Sequence, residues 1–154
     1  EMCIRDRLRR ILRNMDLSEN EIDESIYDAM LLSVDVAHAL HPNKKEKMDI
    51  TNMPVMGKGF CIKQACSQSY ATDAQAIAIL CQLCDEKGIP YQRFVNRSDS
   101  RGGSTLGSIA GTLLPVKTVD IGIPILAMHS ACELMGVRDM KALSDCVTAF
   151  FGYH

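Results

Sequence analysis

Four short apolar runs, none longer than a strand and each set apart from the next by a helix-length or loop-length segment, narrow the folds open to this chain. They are Met30 to Val36, Phe60 to Ala65, Tyr91 to Asn96 and Thr118 to Ile123. Strands that alternate with helices build α/β layers rather than a sandwich or a bundle. Met30 to Val36 is apolar except for Ser33 and Asp35, as in a strand covered on both faces.

Helix signals fill the spaces between these runs. Glu1 to Asn14 reads as a basic helix with Leu8, Ile11 and Leu12 on one stripe. Ser18 and Glu21 have capping-box spacing, which predicts a helix start there and a helix toward Tyr27. Pro42 to Pro54 is polar, contains two prolines, and reads as a loop. Asp73 is placed to cap a helix from Ala74 to Glu86, ended by Gly88 and Pro90. The polar stretch Arg97 to Thr105 is a turn leading into a helix over Leu106 to Leu114. Pro124 is expected to stop the fourth strand. A final helix is predicted from Ser130 to Phe151, with Leu134, Met140, Leu143, Val147 and Phe150 on one face and a break near Gly136.

Length and charge exclude several classes of function. The 154 residues suit one domain with a sizeable core. A net charge of -2 gives no electrostatic case for nucleic acid or an anionic membrane. No apolar run approaches the ~20 residues of a membrane span, and the N-terminal residues lack the charged-then-apolar design of a signal peptide. Seven cysteines, an odd number, argue against a full disulfide framework. Cys61, Cys81, Cys132 and Cys146 lie in apolar surroundings, as thiols do in a reducing compartment, and the expected location is the cytoplasm. Cys81 and Cys84 form a C-x-x-C, but with no second pair and no redox-motif context it reads as two helix positions at i and i+3.

Two polar residues stand out against apolar neighbours. Asp35 sits near the end of the first run, where a carboxylate is costly unless paired, hydrogen-bonded or bound to metal. The carboxyl ends of strands are also where α/β proteins bind ligands. A ligand site and a cap for the next turn both remain open for Asp35. His129 ends the run Ile123 to Met128 and could be a zinc ligand or a satisfied core residue. His38 and His41 flank the end of the Asp35 segment, and Asp-x-x-His is a workable metal cluster of low specificity. Gly102-Gly103-Ser104-Thr105 could cradle an anion at a helix start. Without either established phosphate-binding glycine pattern it reads better as a tight turn with a Ser/Thr cap.

Taken together, several segments are far more specific. Asp35-Val36-Ala37-His38-Ala39-Leu40-His41-Pro42-Asn43 resembles the D-x-A-H-A-x-H-P-N block of M18 zinc aminopeptidases, the aspartyl aminopeptidase family. Lys63 with Tyr70-Ala71-Thr72, Arg97-Ser98-Asp99 with Gly103-Ser104-Thr105-Leu106-Gly107, and Thr118 to Pro124 with Leu126-Ala127-Met128-His129-Ser130 resemble further blocks of that family in order and spacing. The resemblance covers roughly Leu8 to Phe151.

The resemblance implies an enzyme that removes N-terminal, typically acidic, residues from peptides. It implies two zinc ions bridged by a carboxylate and a glutamate as general base. Asp35 matches a ligand of one zinc and His129 a ligand of the other. His38, Lys63 and Tyr70 match positions that line the substrate pocket. A homo-oligomer is implied for a full-length chain, with a peptide as substrate.

The chain also departs from the pattern. The family's first zinc-binding His, its bridging Asp and its Glu-Glu pair precede the region matching Leu8, so no general base is identified among these residues and each zinc keeps one ligand. Glu1 to Arg7 falls outside the resemblance, as an artefactual start of a truncated reading frame would. Arg101-Gly102 stands for the family's Pro-Cys, and Ala131-Cys132 for Ile-Arg. The expectation is therefore a partial metallopeptidase catalytic domain over residues 1–154. Its fold would be three-layer α/β, with a mixed sheet between helices and its N-terminal part missing. On that basis the chain alone is inactive, or it is a non-catalytic relative serving as a binding or assembly subunit.

Overall fold

The computed structural model describes residues 2–100 and 102–152, so Glu1 and Arg101 lie outside the described residues, as do Tyr153 and His154. Helices α1 (Met2–Arg13) and α2 (Glu19–Asp28) are followed by strand β1 (Met30–His38), β2 (Phe60–Gln64), α3 (Ala74–Lys87), β3 (Tyr91–Val95) and α4 (Leu106–Leu113). Strand β4 (Lys117–Leu126), the two-residue β5 (Leu134–Met135) and α5 (Val137–Phe151) complete the chain.

The sheet is mixed, in the order β1-β4-β2-β3. β1 runs parallel to β4 from Met30 opposite Lys117 to His38 opposite Ile125. β2 is antiparallel to β4, with Lys63 opposite Asp120 and Cys61 opposite Gly122, and parallel to β3. Because side chains alternate along a strand, the sheet separates its residues onto two faces. Phe60, Ile62, Val119, Ile121, Ile123 and Ile125 pack against Leu80, Cys84, Leu143 and Cys146 of α3 and α5. The opposite face carries Ala37, Cys61, Tyr70 and Phe94, and Asp120 there meets Gly107 of α4. A third cluster holds α1 and α2 through Ile22, Ile26, Leu8 and Leu12 against Leu114. The three layers and the mixed sheet are those expected.

Local signals explain most boundaries. Ser18 and Glu21 form both halves of the capping box, and Gly88 ends α3 at φ +66. Asp73 caps α3 by accepting from the Ala76 N–H at 2.8 Å, while its other oxygen accepts from Thr118 N–H at 3.0 Å and so ties α3 to β4.

Two expectations are corrected. The fourth strand passes through Pro124 to Leu126. Ile125 turns its carbonyl toward β1, where it accepts from the Ala39 N–H at 2.8 Å, so Pro124 points its nitrogen the other way. There it falls between the stretches of β4 paired with β2 and β5, and no ladder donor is required. Residues 130–136 are not helical: a turn and β5 precede α5, which begins at Val137. Asp139 explains that start. Its buried carboxylate accepts the N–H groups of Gly57 (2.6 Å) and Gly59 (2.7 Å) from the first turn of α5, which fixes the helix to that loop.

Candidate functional site

β1 and β4 are parallel, so their carboxyl ends open on the same side of the sheet. Asp35 and His38 lie in the last four residues of β1, and His129 lies three residues beyond β4. The turn after β4 is backbone-strained, with Ala127 at φ +57 and His129 at φ +68, in a region that non-glycine residues seldom occupy. The His129 N–H donates to Glu133 Oε1 at 2.6 Å, and Ser130 N–H closes the turn on the Ala127 carbonyl. The imidazole is thereby left exposed at the mouth of the sheet.

Lys63 is the centre of the inner site. Its side chain is 2% exposed, and it reaches across β4 to place Nζ 3.3 Å from Asp35 Oδ2, whose side chain is 49% exposed. Asp35 is thus paired with a cation and does not cap the next turn. Gly122, opposite both Asp35 and Cys61, keeps β1 and β4 close: a Cβ there would come within 2.7 Å of the Val36 backbone. The Lys63 ammonium also lies 5.1 Å from the centroid of the Tyr70 ring, a cation–π distance. Tyr70 is buried, and its hydroxyl accepts a hydrogen bond from Asn96 Nδ2 at 3.2 Å.

The electrostatics follow from this packing. Burial, with smaller contributions from the charges of Asp120 and Asp35, raises the Tyr70 phenol above its ordinary value despite the Asn96 bond, so it stays protonated and able to donate. Burial, with smaller contributions from the neighbouring His129 and Lys63, lowers His38, which favours the neutral imidazole near pH 7.

Asp35, Lys63 and Tyr70 are brought into contact, and His38 shares an electrostatic neighbourhood with Lys63 and His129. Beside His38 opens a cavity of about 440 Å³, walled by His41, Lys44, Lys47 and Arg97 together with Asp49 and Asn96. Arg97 holds the wall by pairing with both oxygens of Asp99 and donating to the Glu46 carbonyl.

Asp35 and His129 are suitable in kind as zinc ligands, a carboxylate and an imidazole. Asp35 has one close cation, and the His129 ring is open to solvent. Among the described residues, however, no group of three or more His, Cys, Asp and Glu side chains converges as a metal site would. The donors fit zinc in chemistry and fall short in number.

Asn96 and Asp120 join the site without being singled out by the sequence. Asn96 orients Tyr70. Asp120 is 0% exposed in the middle of β4; its Oδ2 accepts from Ala71 N–H at 2.9 Å, while Oδ1 has no partner. The signal for Asp120 was the same as for Asp35, a carboxylate inside an apolar run. Thr105 stands at the N-cap of α4 but makes no cap bond, and its buried Oγ1 is unpartnered, so the expected side-chain cap is not formed. The C-x-x-C is an ordinary helix pair: Cys84 turns into the core, 3.9 Å from Cys146, and that contact together with burial pushes its thiol upward, away from a reactive thiolate.

Comparison with known proteins adds an independent line. The family model described as Aminopeptidase I zinc metalloprotease (M18) matches residues 4–151. A relative from Clostridium novyi (strain NT), named "Probable M18 family aminopeptidase 2", is 47% identical over 132 residues, which is 86% of this chain and 30% of that protein. A chain in the cryo-EM structure of the Ape4 and Nbr1 complex superposes with a TM-score of 0.84 at 34% identity, over 88% of this chain and 26% of that one. A chain of the S. cerevisiae mApe1 dodecamer gives 0.69 at 27% identity, over 80% and 27%. The chain therefore spans about a third of the length of the curated relatives it matches.

Proposed function

The chain belongs to the M18 family of aminopeptidase zinc metalloproteases, and from that premise we propose that it is the part of a two-zinc aminopeptidase that carries Asp35, His129 and the wall of the peptide site. The observation that carries this reading is the placement of Asp35, His38, Lys63, Tyr70 and His129 at one end of the sheet. In it, Asp35 holds one zinc and His129 the other. When bound, paired zinc ions polarise the scissile carbonyl and supply a hydroxide near neutral pH.

This chain's own residues have separate tasks. Tyr70 stays protonated and presents its O–H where a developing oxyanion can accept it. The neutral His38 can accept a hydrogen bond from the peptide's N-terminal segment. Lys63 supplies the positive charge that favours an acidic N-terminal side chain, and the basic-walled cavity beside His38 receives the following residues. Among the described residues no third donor joins Asp35 and His129, and no general base is identified, so no turnover is expected from this chain alone. The dodecameric relative supports a homo-oligomer for the whole protein, and seven unpaired cysteines support a reducing compartment such as the cytoplasm. No described helix is long and apolar enough to cross a membrane.

A second reading has its own observation. The lack of any three-donor group among the described residues suits a non-catalytic relative that keeps the fold as a binding or assembly subunit.

Zinc content and hydrolysis of N-terminal aspartyl and neutral peptides, measured on this chain and on a full-length protein that contains it, separate these readings, because only the first expects zinc and turnover in the full-length protein. Less than one zinc per chain and no turnover are expected for the chain alone. Two zincs with turnover would show that other ligands complete the site. In an enzyme complete with its general base, Lys63→Met should slow the aspartyl substrate about tenfold more than the neutral one, as loss of a charge-assisted pair would. Equal loss for both would remove Lys63 from substrate selection.

A further inference from the structure

Lys63 is an ammonium in a site that is almost closed to water, and its one close anion, Asp35, is the residue the proposed function assigns to zinc. A metal that takes the Asp35 carboxylate leaves Lys63 without its counter-charge. A buried cation stripped of its partner is strongly destabilising, so the fold needs a second anion within reach of Nζ.

Asp120 meets that requirement. It stands directly opposite Lys63 in the antiparallel pairing of β2 with β4. Opposed residues share a face, with Cβ atoms about 5 Å apart. Asp120 is 0% exposed, and its carboxylate has one oxygen held by the Ala71 N–H and the other without a partner. Gly107 of α4 leaves it room, since a Cβ there would stand 2.7 Å from Oδ1. Tyr70 joins the two residues: its ring lies under the Lys63 ammonium, and its phenol feels the charges of both Asp120 and Asp35. A carboxylate that is fully buried and half-satisfied is costly on its own. Its position beside a lysine with a competing claim on it explains its presence.

We infer that Asp120 is a positioning residue, a second seat for the Lys63 ammonium, taken when the Asp35 carboxylate is engaged elsewhere. Lys63 then has two positions. In one it pairs with Asp35 and keeps the empty site neutral. In the other it pairs with Asp120, frees Asp35 as a ligand, and retains N–H donors for an acidic group of the substrate. This rests on the proposed function only for what displaces Lys63; the two seats belong to this chain.

A double-mutant cycle on the full chain, without metal or peptide, tests the two seats. Asp35→Asn should cost little stability, because Lys63 moves to Asp120. Asp120→Asn should also cost little, because Lys63 stays on Asp35 and the amide oxygen still accepts from Ala71. The double variant has no anion for the ammonium, and its unfolding constant should rise about tenfold beyond the product of the two single effects. Adding Lys63→Met to the double variant should abolish that excess, and should restore folding if the double variant does not fold. The structure of Asp35→Asn should place Nζ within hydrogen-bond distance of Asp120. Single effects that multiply, a triple variant no better than the double, or Nζ still bonded to the new amide at position 35 would each overturn the inference. None of these outcomes bears on zinc binding or peptide hydrolysis, so the aminopeptidase reading stands or falls separately.

Discussion

Asp139 shows how much one side chain can hold together. Its carboxylate is fully buried at the first turn of α5, where the helix N-terminus favours a negative charge, and it takes the N–H groups of Gly57 and Gly59. Asp139→Ala leaves two amides unpaired, one of them buried, at a cost of about 2–4 kcal/mol. Asp139→Asn keeps one acceptor oxygen and should lose roughly half as much. Urea denaturation of the two variants checks the ranking, and a negligible loss for Asp139→Ala would mean that water replaces the carboxylate. In the sequence Asp139 is one more polar residue of a predicted helix, because its partners lie about eighty positions away in the chain. Asp35 was legible for the opposite reason. A charge near the end of an apolar run is a local anomaly, and local anomalies survive without knowledge of topology. Its partner was not legible, since the Lys63 contact depends on β4 lying between β1 and β2.

Elements were easiest to read where a local device sets their ends. The Ser18–Glu21 box and the Asp73 cap with Gly88 bound α2 and α3 as expected, because caps act within four residues. Where tertiary contact decides, local signals misled: Pro124 continues β4 because of where β2 and β5 stop, and α5 starts late because Asp139 fixes it. The junction of α1 with α2 depends on charge. Glu19, in the first turn of α2, accepts from Arg13 Nε at 2.7 Å and from Arg9 at 2.6 Å. Hydrogen bonds from Arg13 and then Arg9 lower its carboxyl from 4.5 to about 2. A lowered carboxyl means that the unfolded chain binds the proton more readily. The stabilisation from Glu19 is thus present above about pH 4.5 and is lost as pH falls through about 2. Glu19→Gln should flatten the acid side of the stability curve in that window, with a smaller difference at high salt because the group is exposed. Equal acid sensitivity in the two proteins would show that other carboxylates dominate.

At the scale of the whole molecule, the sheet is covered unevenly. α3 and α5 lie over β2 and β4, whereas β1, like β3, is an edge strand and, among the described residues, no strand pairs with its outer edge. A free edge nine residues long offers a row of backbone N–H and C=O groups to another chain. Val34, on the face that elsewhere meets α3 and α5, is 50% exposed, so apolar surface accompanies the open edge. The chain should therefore self-associate through β1 as its concentration rises, giving a sedimentation coefficient that increases with loading. Val34→Lys puts a charge on that edge, the usual device by which natural sheets avoid edge pairing, and should shift the distribution toward the monomer without lowering the melting midpoint. The substitution is informative because Val34 belongs to none of the buried clusters, so loss of association cannot be traced to a weakened core. A wild-type chain that sediments as a single monomer at all concentrations and melts cooperatively would show that the β1 edge is already protected. Association that persists unchanged in a chain with Val34→Lys would show that Val34 has no part in it.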